Sequence, residues 1–347
     1  MGWLNTLRHL ADYSTVDQLA PLRSPWSITE LRRVVMSDLA GVQNLNPGRS
    51  EAMRVPAIVR GRALIAGLLS RHPLGVWETA TAGKRIDMAP WLTATSTAQS
   101  PRQRNLWTFD DLIFSGLSLW FVVRDSHDAI LDGIRVDPAL WTVDPETREV
   151  TIQGIDNLSA EQVLLFEGPQ EGLVTIARDT IAAAIALEAA WSKRVTQPIP
   201  MLELHSTDST MDLDNAEAKA LVDQWEKARR EGGGTAYTPS SIETKIHGTA
   251  VTDLFVAGRN AIRLDIANFL SLPSALLEGS MSTASLTYST KEGSRNDLVD
   301  LSLGYWSDAF EARLSQDDVV ASGFNVAIDL SQLATATQPT RSPNQED

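Results

Sequence analysis

Residues 252–292 constrain the chain more than any other stretch, because they place two long helical patterns on either side of a single break. Thr252 and Asp253 supply capping side chains, and Leu254, Phe255, Gly258, Ala261, Ile262, Ile266 and Phe269 recur as one helical face. Asp253, Arg259, Asn260 and Arg263 form the other face, while Asp265 intrudes on the apolar one. Pro273 has no amide proton and restricts the residue before it, so this helix is expected to end at Leu272, after roughly 30 Å. Residues 274–290 (SALLEGSMSTASLTYST) are small and hydroxyl-rich and read as a loop. A second helical pattern starts near Lys291. Its two adjoining stripes, Leu298, Leu301, Tyr305, Ala309, Ala312 and Val299, Leu303, Trp306, Phe310, Leu314, predict cover on a broad front.

The rest of the chain supplies what such helices pack against. Residues 1–50 are mixed, with a short amphipathic pattern at 3–10 and a proline-serine loop at 21–27, and read as an arm that docks elsewhere. Residues 55–69 have helical spacing and end before Pro73. Residues 112–119 finish a helix. Segments 119–124, 130–136, 141–143, 150–155 and 163–166 then read as short strands, with Asp132-Gly133 and Asp144-Pro145 as turn chemistry. Residues 178–197 are alanine-rich and apolar nearly all round, which predicts burial by several neighbours and a partner for Glu188.

Between that helix and the one at 252 lies a small module. Residues 201–205 form a strand, and Asp214 with Glu217 makes a capping box. A helix through Trp225 stops at Gly232-Gly233-Gly234, and strands at 235–238 and 242–247 follow. Residues 324–330 alternate as a strand, and 334–347 are polar and proline-bearing, the composition of a disordered tail.

A length of 347 residues allows two domains, or one domain with a large insertion. The formal charge of -14 repels phosphates, which argues against a protein that grips DNA by counterion release but suits a wall along which DNA slides. With no cysteine, disulfide and thiol chemistry are excluded, in keeping with assembly in a reducing cytoplasm. Residues 1–10 lack the apolar core of a secretory signal. The best apolar run, 112–123, is about a dozen residues against the roughly 20 a bilayer span needs, so a soluble protein without membrane contact is expected.

Signs of catalysis are weak. No phosphate-binding glycine loop carries a lysine, no G-x-S-x-G elbow occurs, and the five histidines have no metal spacing. Neither a cofactor nor a metal is expected. Ser289 and Lys291 lie close together in a polar stretch, which keeps a serine-loop hydrolase as an alternative. The acid pairs Asp110-Asp111 and Asp317-Asp318 read as helix caps or solvent-facing groups.

The wording of the central stretch adds a family. Asp265-Ile266-Ala267, Leu272-Pro273, Leu276-Leu277-x-Gly279 and Thr287-Tyr288-Ser289 resemble, in order, the C-terminal half of the portal proteins of tailed bacteriophages, especially long-tailed ones. RGRALIAGLLSRHPL at 60–74 resembles the first wing helix of that family. Thr290, Gly293 and the Gly116-Leu117 pair depart from its usual asparagine, glutamine and glycine-asparagine.

The resemblance implies an α+β portal fold that forms rings. Its parts would be a mixed α/β wing (1–177 and 291–333), a two-helix stem (178–197 and 252–272), a small α/β clip (198–251) and a channel loop (273–290). It further implies a homo-oligomeric, dodecameric ring at one vertex of the virion capsid, assembled in the bacterial host cytoplasm. Double-stranded DNA would pass through it without sequence-specific recognition, and the terminase large subunit, a head-tail adaptor, and the major capsid and scaffolding proteins would be its partners. Glu278, Gly279, Ser280, Met281, Ser282, Thr283, Ala284 and Ser285 would face DNA, and Arg229, Arg230 and Glu231 would meet clip partners. In a ring, Glu188 or Asp265 is expected to pair with Arg259 or Arg263 across a subunit boundary; the alternative is that each acid reaches water at a stripe edge. A structural adaptor that forms no ring also remains open.

Overall fold

The computed structural model describes residues 48–80, 85–94, 99–144, 146–196, 201–207, 214–231, 242–247, 255–277, 297–330 and 333. Two compact units divide the chain, one of residues 1–185 with 257–347 and one of residues 186–256.

In the first unit, a short helix α1 (Arg49–Ala52) leads into α2 (Pro56–Leu69). Pro56 sits where its missing amide costs no bond, at the first helical position. Strand β1 (Leu74–Glu78) and the two-residue β2 (Arg85–Ile86) follow. Helix α3 (Pro101–Ser115) begins at a Ser100 cap and ends at Gly116, whose φ of 76° is open to glycine at no steric cost. The chain then turns directly into β3 (Leu117–Arg124) and β4 (Ile130–Val136), a hairpin β5 (Trp141–Val143) and β6 (Val150–Ile152), and β7 (Val163–Glu167). Between β7 and the short α4 (Leu173–Ile176), Gly172 runs so close to α3 that a Cβ there would stand 2.2 Å from the carbonyl oxygen of Phe114.

The single run of short strands expected from the sequence is therefore two sheets, β4-β3-β7 and β5-β6. A third sheet, β10-β1-β2, joins β1 to β10 (Phe324–Ile328), its partner from the far end of the chain.

Strands β4 and β10 would each present an open row of backbone groups, and side chains occupy both rows. Gln99 donates to the carbonyl of Arg135 and accepts from its amide, both at 3.0 Å, and Arg104 donates to the carbonyl of Gly133 at 2.6 Å. On β10, Ser315 accepts from the amide of Val326 at 2.9 Å and Glu311 from that of Ile328 at 3.0 Å. These two come from α8 (Gly304–Leu314) and the turn just after it.

The core between α3, the sheets and α8 is aromatic. Trp120 lies 4.8 Å from Phe166 and 5.6 Å from Phe310, ring centre to ring centre, and Phe109 lies 5.0 Å from Phe310. Arg104, fully buried, stacks 4.4 Å over Trp120, and burial lowers its pKa to about 10 against the opposing pull of Asp132. Asp110 and Asp111 overturn the expectation of caps or solvent-facing acids. Both are buried in mid-helix, where Asp110 receives Arg49 and Arg62 and Asp111 receives Arg135 through two bonds of 2.5 and 2.7 Å, with Ser118 at 2.8 Å. Burial pushes the Asp111 carboxyl up to about 6, and the guanidinium of Arg135 only partly offsets it. Asp318 does face solvent and pairs with Arg313.

In the second unit, β8 (Met201–Ser206) pairs antiparallel with β9 (Ile242–His247), and α6 (Asn215–Glu231) lies between them in sequence. The Asp214 carboxylate accepts from the amides of Ala216 and Glu217 at 2.8 Å, and Glu217 returns a bond to the amide of Asp214, the reciprocal box read from the sequence. Helix α5 (Arg178–Thr196) begins in the first unit and runs into the second. Ile181 and Ala184 are buried, but Ala182, Ala183, Ala186, Ala189 and Ala190 are exposed, so one chain covers only part of a helix expected to be enclosed on all sides.

Candidate functional site

The elements on either side of the central break carry the functional expectations. Helix α7 (Val256–Phe269) has 14 residues and is about 21 Å long, shorter than the roughly 30 Å expected. It does not run on to Pro273. Ser271 takes the left-handed conformation at φ 53°, its amide bonds the carbonyl of Asn268, and the amide of Leu272 reaches back to Ala267 at 2.9 Å. This is a Schellman ending with serine where glycine is the usual choice, and Pro273 stands beyond it.

Several bonds pin that ending. Trp306 of α8 donates its indole proton to the carbonyl of Leu270 at 2.9 Å. Gln170 donates to the carbonyl of Phe269 at 2.7 Å, and its own side-chain oxygen accepts from Tyr305 at 3.3 Å. Arg60 of α2 donates to the carbonyl of Leu276 at 3.3 Å, while Leu270, Leu272 and Leu277 are buried. The end of α7 and the start of α8 are thus tied together, and a turn of π-helix (Leu298–Leu303) precedes α8.

Of the two stripes expected on the second helix, one is covered: Leu303, Trp306, Phe310 and Leu314 are buried. On the other, Leu301 is 67% exposed. On α7, Ile266 and Ala267 are buried, whereas Val256 is 56% and Leu264 50% exposed. Asp265 is exposed, away from the buried face it was expected to interrupt, and Arg259, Arg263 and Glu188 are part-exposed. Arg229, Arg230 and Glu231 form the last residues of α6. Glu278, Gly279, Ser280, Met281, Ser282, Thr283, Ala284 and Ser285 lie outside the described residues, as do Ser289, Lys291, 1–47 and 334–347.

Sequence reasoning missed the Trp306–Leu270 and Gln170–Phe269 ties. Both join side chains to backbone carbonyls at a helix end, which no residue spacing announces. Among the described residues, no group of three metal-binding side chains occurs and no helix is long and apolar enough to cross a membrane.

A unit of short sheets and long helices, and a small α/β unit that lies in sequence between two helices, define an α+β protein, and comparison with known proteins gives its family. The model of the family described as phage portal protein matches residues 56–343. The chain belongs to that family. It is similar to a solved HK97 family phage portal protein from Corynebacterium diphtheriae, at 26% identity and a TM-score of 0.69, over 83% of this chain and 97% of that one. Chains from the neck of an empty gene transfer agent particle (15% identity, TM-score 0.54) and from the neck of the native particle, computed with C12 symmetry (14%, 0.52), share the fold over 86% of this chain and 89% of theirs. Among curated protein sequences none matches.

Proposed function

We propose that this chain is the subunit of a dodecameric portal ring at one vertex of a virion, the passage for double-stranded DNA during packaging and ejection. The family match over residues 56–343 carries the reading. Exposed apolar positions support it: Val256 and Leu264 on α7, Leu301 ahead of α8, and the alanines of α5 are apolar surface that contact with a neighbouring copy would remove from water. The twelvefold neck of the gene transfer agent, which contains a chain of this fold, supports the copy number.

The role is mechanical. A wall drawn from a chain of charge -14 lets a polyanion slide without lodging, and residues 278–285, with hydroxyls and no lysine or arginine, touch it without a strong phosphate grip. ATP hydrolysis belongs to the terminase that docks on the ring, and a head-tail adaptor later takes its place. Arg229, Arg230 and Glu231 are the proposed contacts for these partners. Arg259 or Arg263 pairs with Glu188 or Asp265 of the adjacent copy. Arg263→Ala therefore yields rings of lower thermal stability; rings that form and melt as before remove the pairing while leaving ring assembly intact.

Size-exclusion chromatography with light scattering, followed by negative-stain imaging, tests the whole reading. The expected particle is annular and about 455 kDa, twelve times the subunit mass of 37.9 kDa. A monomer or small oligomer at all concentrations overturns it.

A further inference from the structure

The π-helical turn Leu298–Leu303 stands immediately before a helix whose start is held in place. Its winding is marked by the amide of Gly304, which donates to the carbonyl of Val299 five residues back. Such winding is rare and usually brief, and its occurrence inside helices is concentrated at functional positions. Here it spans six residues. Two side chains mark the turn as imperfectly settled. Ser302 is fully buried and its hydroxyl has no hydrogen-bond partner, while its neighbour Leu301 is 67% exposed. A buried hydroxyl without a partner is disfavoured, and in α winding a serine proton commonly returns to the carbonyl four residues back. Downstream nothing is free to give, since Trp306 is bonded to Leu270 and Tyr305 to Gln170.

We propose that this turn is a register switch: it passes between π and α winding and so stores, or releases upstream, one residue of chain. With α8 anchored at Trp306, relaxation to α winding leaves the surplus residue on the upstream side. Asp297, the described residue before the turn, then moves by about 1.5 Å along the axis and turns by about 100°. Ser302 gains a carbonyl partner in the relaxed form, whereas the π form keeps its hydroxyl unmatched. The switch requires the two windings to lie close in stability; it belongs to the fold of one subunit and does not depend on ring assembly.

Amide hydrogen exchange of the full-length protein tests this. The amides of 299–304 are expected to exchange about tenfold faster than those of 307–314. Deleting exposed Asp300 removes the surplus residue, and exchange across 299–304 should then slow to the level of α8 with no loss of melting temperature. Ser302→Ala keeps the chain length but removes the group that favours α winding, so its exchange should also fall below that of the native chain. The proposal is overturned if native exchange is already as slow as in α8, or if the Asp300 deletion folds but lowers the melting temperature. Should the deletion fail to fold, unchanged exchange in Ser302→Ala overturns it by itself.

Discussion

Asp110 and Asp111 are neighbours on α3, yet they point to different partners, Arg49 with Arg62 on one side and Arg135 on the other. Removing Asp110 would take a buried carboxylate from two guanidiniums that are each only 12–13% exposed, so Asp110→Ala is expected to cost about 3 kcal/mol in urea unfolding. Asp111 gives a pH dependence. Its folded pKa of about 6 lies above the ordinary carboxylate value, so the folded chain takes up this proton before the unfolded chain does. Its contribution to stability therefore rises as pH falls from 6 towards 4 and is lost again above 6. Relative to Asp111→Asn, the native protein should gain about 2 kcal/mol between pH 7 and pH 4; a flat difference would show that the carboxyl ionises equally easily in both states. Ser271, left-handed at the end of α7, makes a simpler case: Ser271→Gly should stabilise by about 1 kcal/mol, read from the thermal midpoint. The acids were misjudged from the sequence because adjacent aspartates usually sit in water. Their setting among Phe109, Leu112, Ile113 and Phe114 was the available sign of burial, and only the distant arginines explain it.

At the scale of elements, periodicity was a good guide and contact between distant elements was invisible. Helix α2, helix α5, β3, β4 and the capped α6 were legible because each announces itself within a dozen residues through spacing, a proline or a reciprocal cap. The partnership of β1 with β10 joins segments some 250 residues apart, and no local pattern encodes it. The end of α7 was placed too late because Pro273 was taken as the stop, whereas a left-handed serine two residues earlier ends the winding first. Close approach is equally silent in sequence. Gly172 has an ordinary φ of -58°, but a side chain there meets the backbone of α3, so Gly172→Ala is expected to destabilise by about 2 kcal/mol or more in denaturant titration. An unchanged midpoint would mean that the loop between β7 and α4 withdraws at little cost.

For the whole molecule, the family became legible from four short clusters between Asp265 and Ser289, some of which lie outside the described residues, and the proposed ring rests its subunit contacts on exposed helix faces. Leu264→Asp places a charge on α7 at a position half exposed in one chain. It should abolish the large assembly in light scattering while leaving the melting of the dispersed subunit unchanged, because no internal contact of comparable size is lost. The side chains of Gln99, Arg104, Ser315 and Glu311 along β4 and β10 bear on the same question from the opposite direction. In the proposed ring, a dozen copies at one vertex would be at very high local concentration, the condition under which bare ribbon margins stitch together into fibres. With these margins corked internally, each copy of such a ring could crowd against the next, and growth that would otherwise continue without limit would be left to surfaces whose curvature closes on itself.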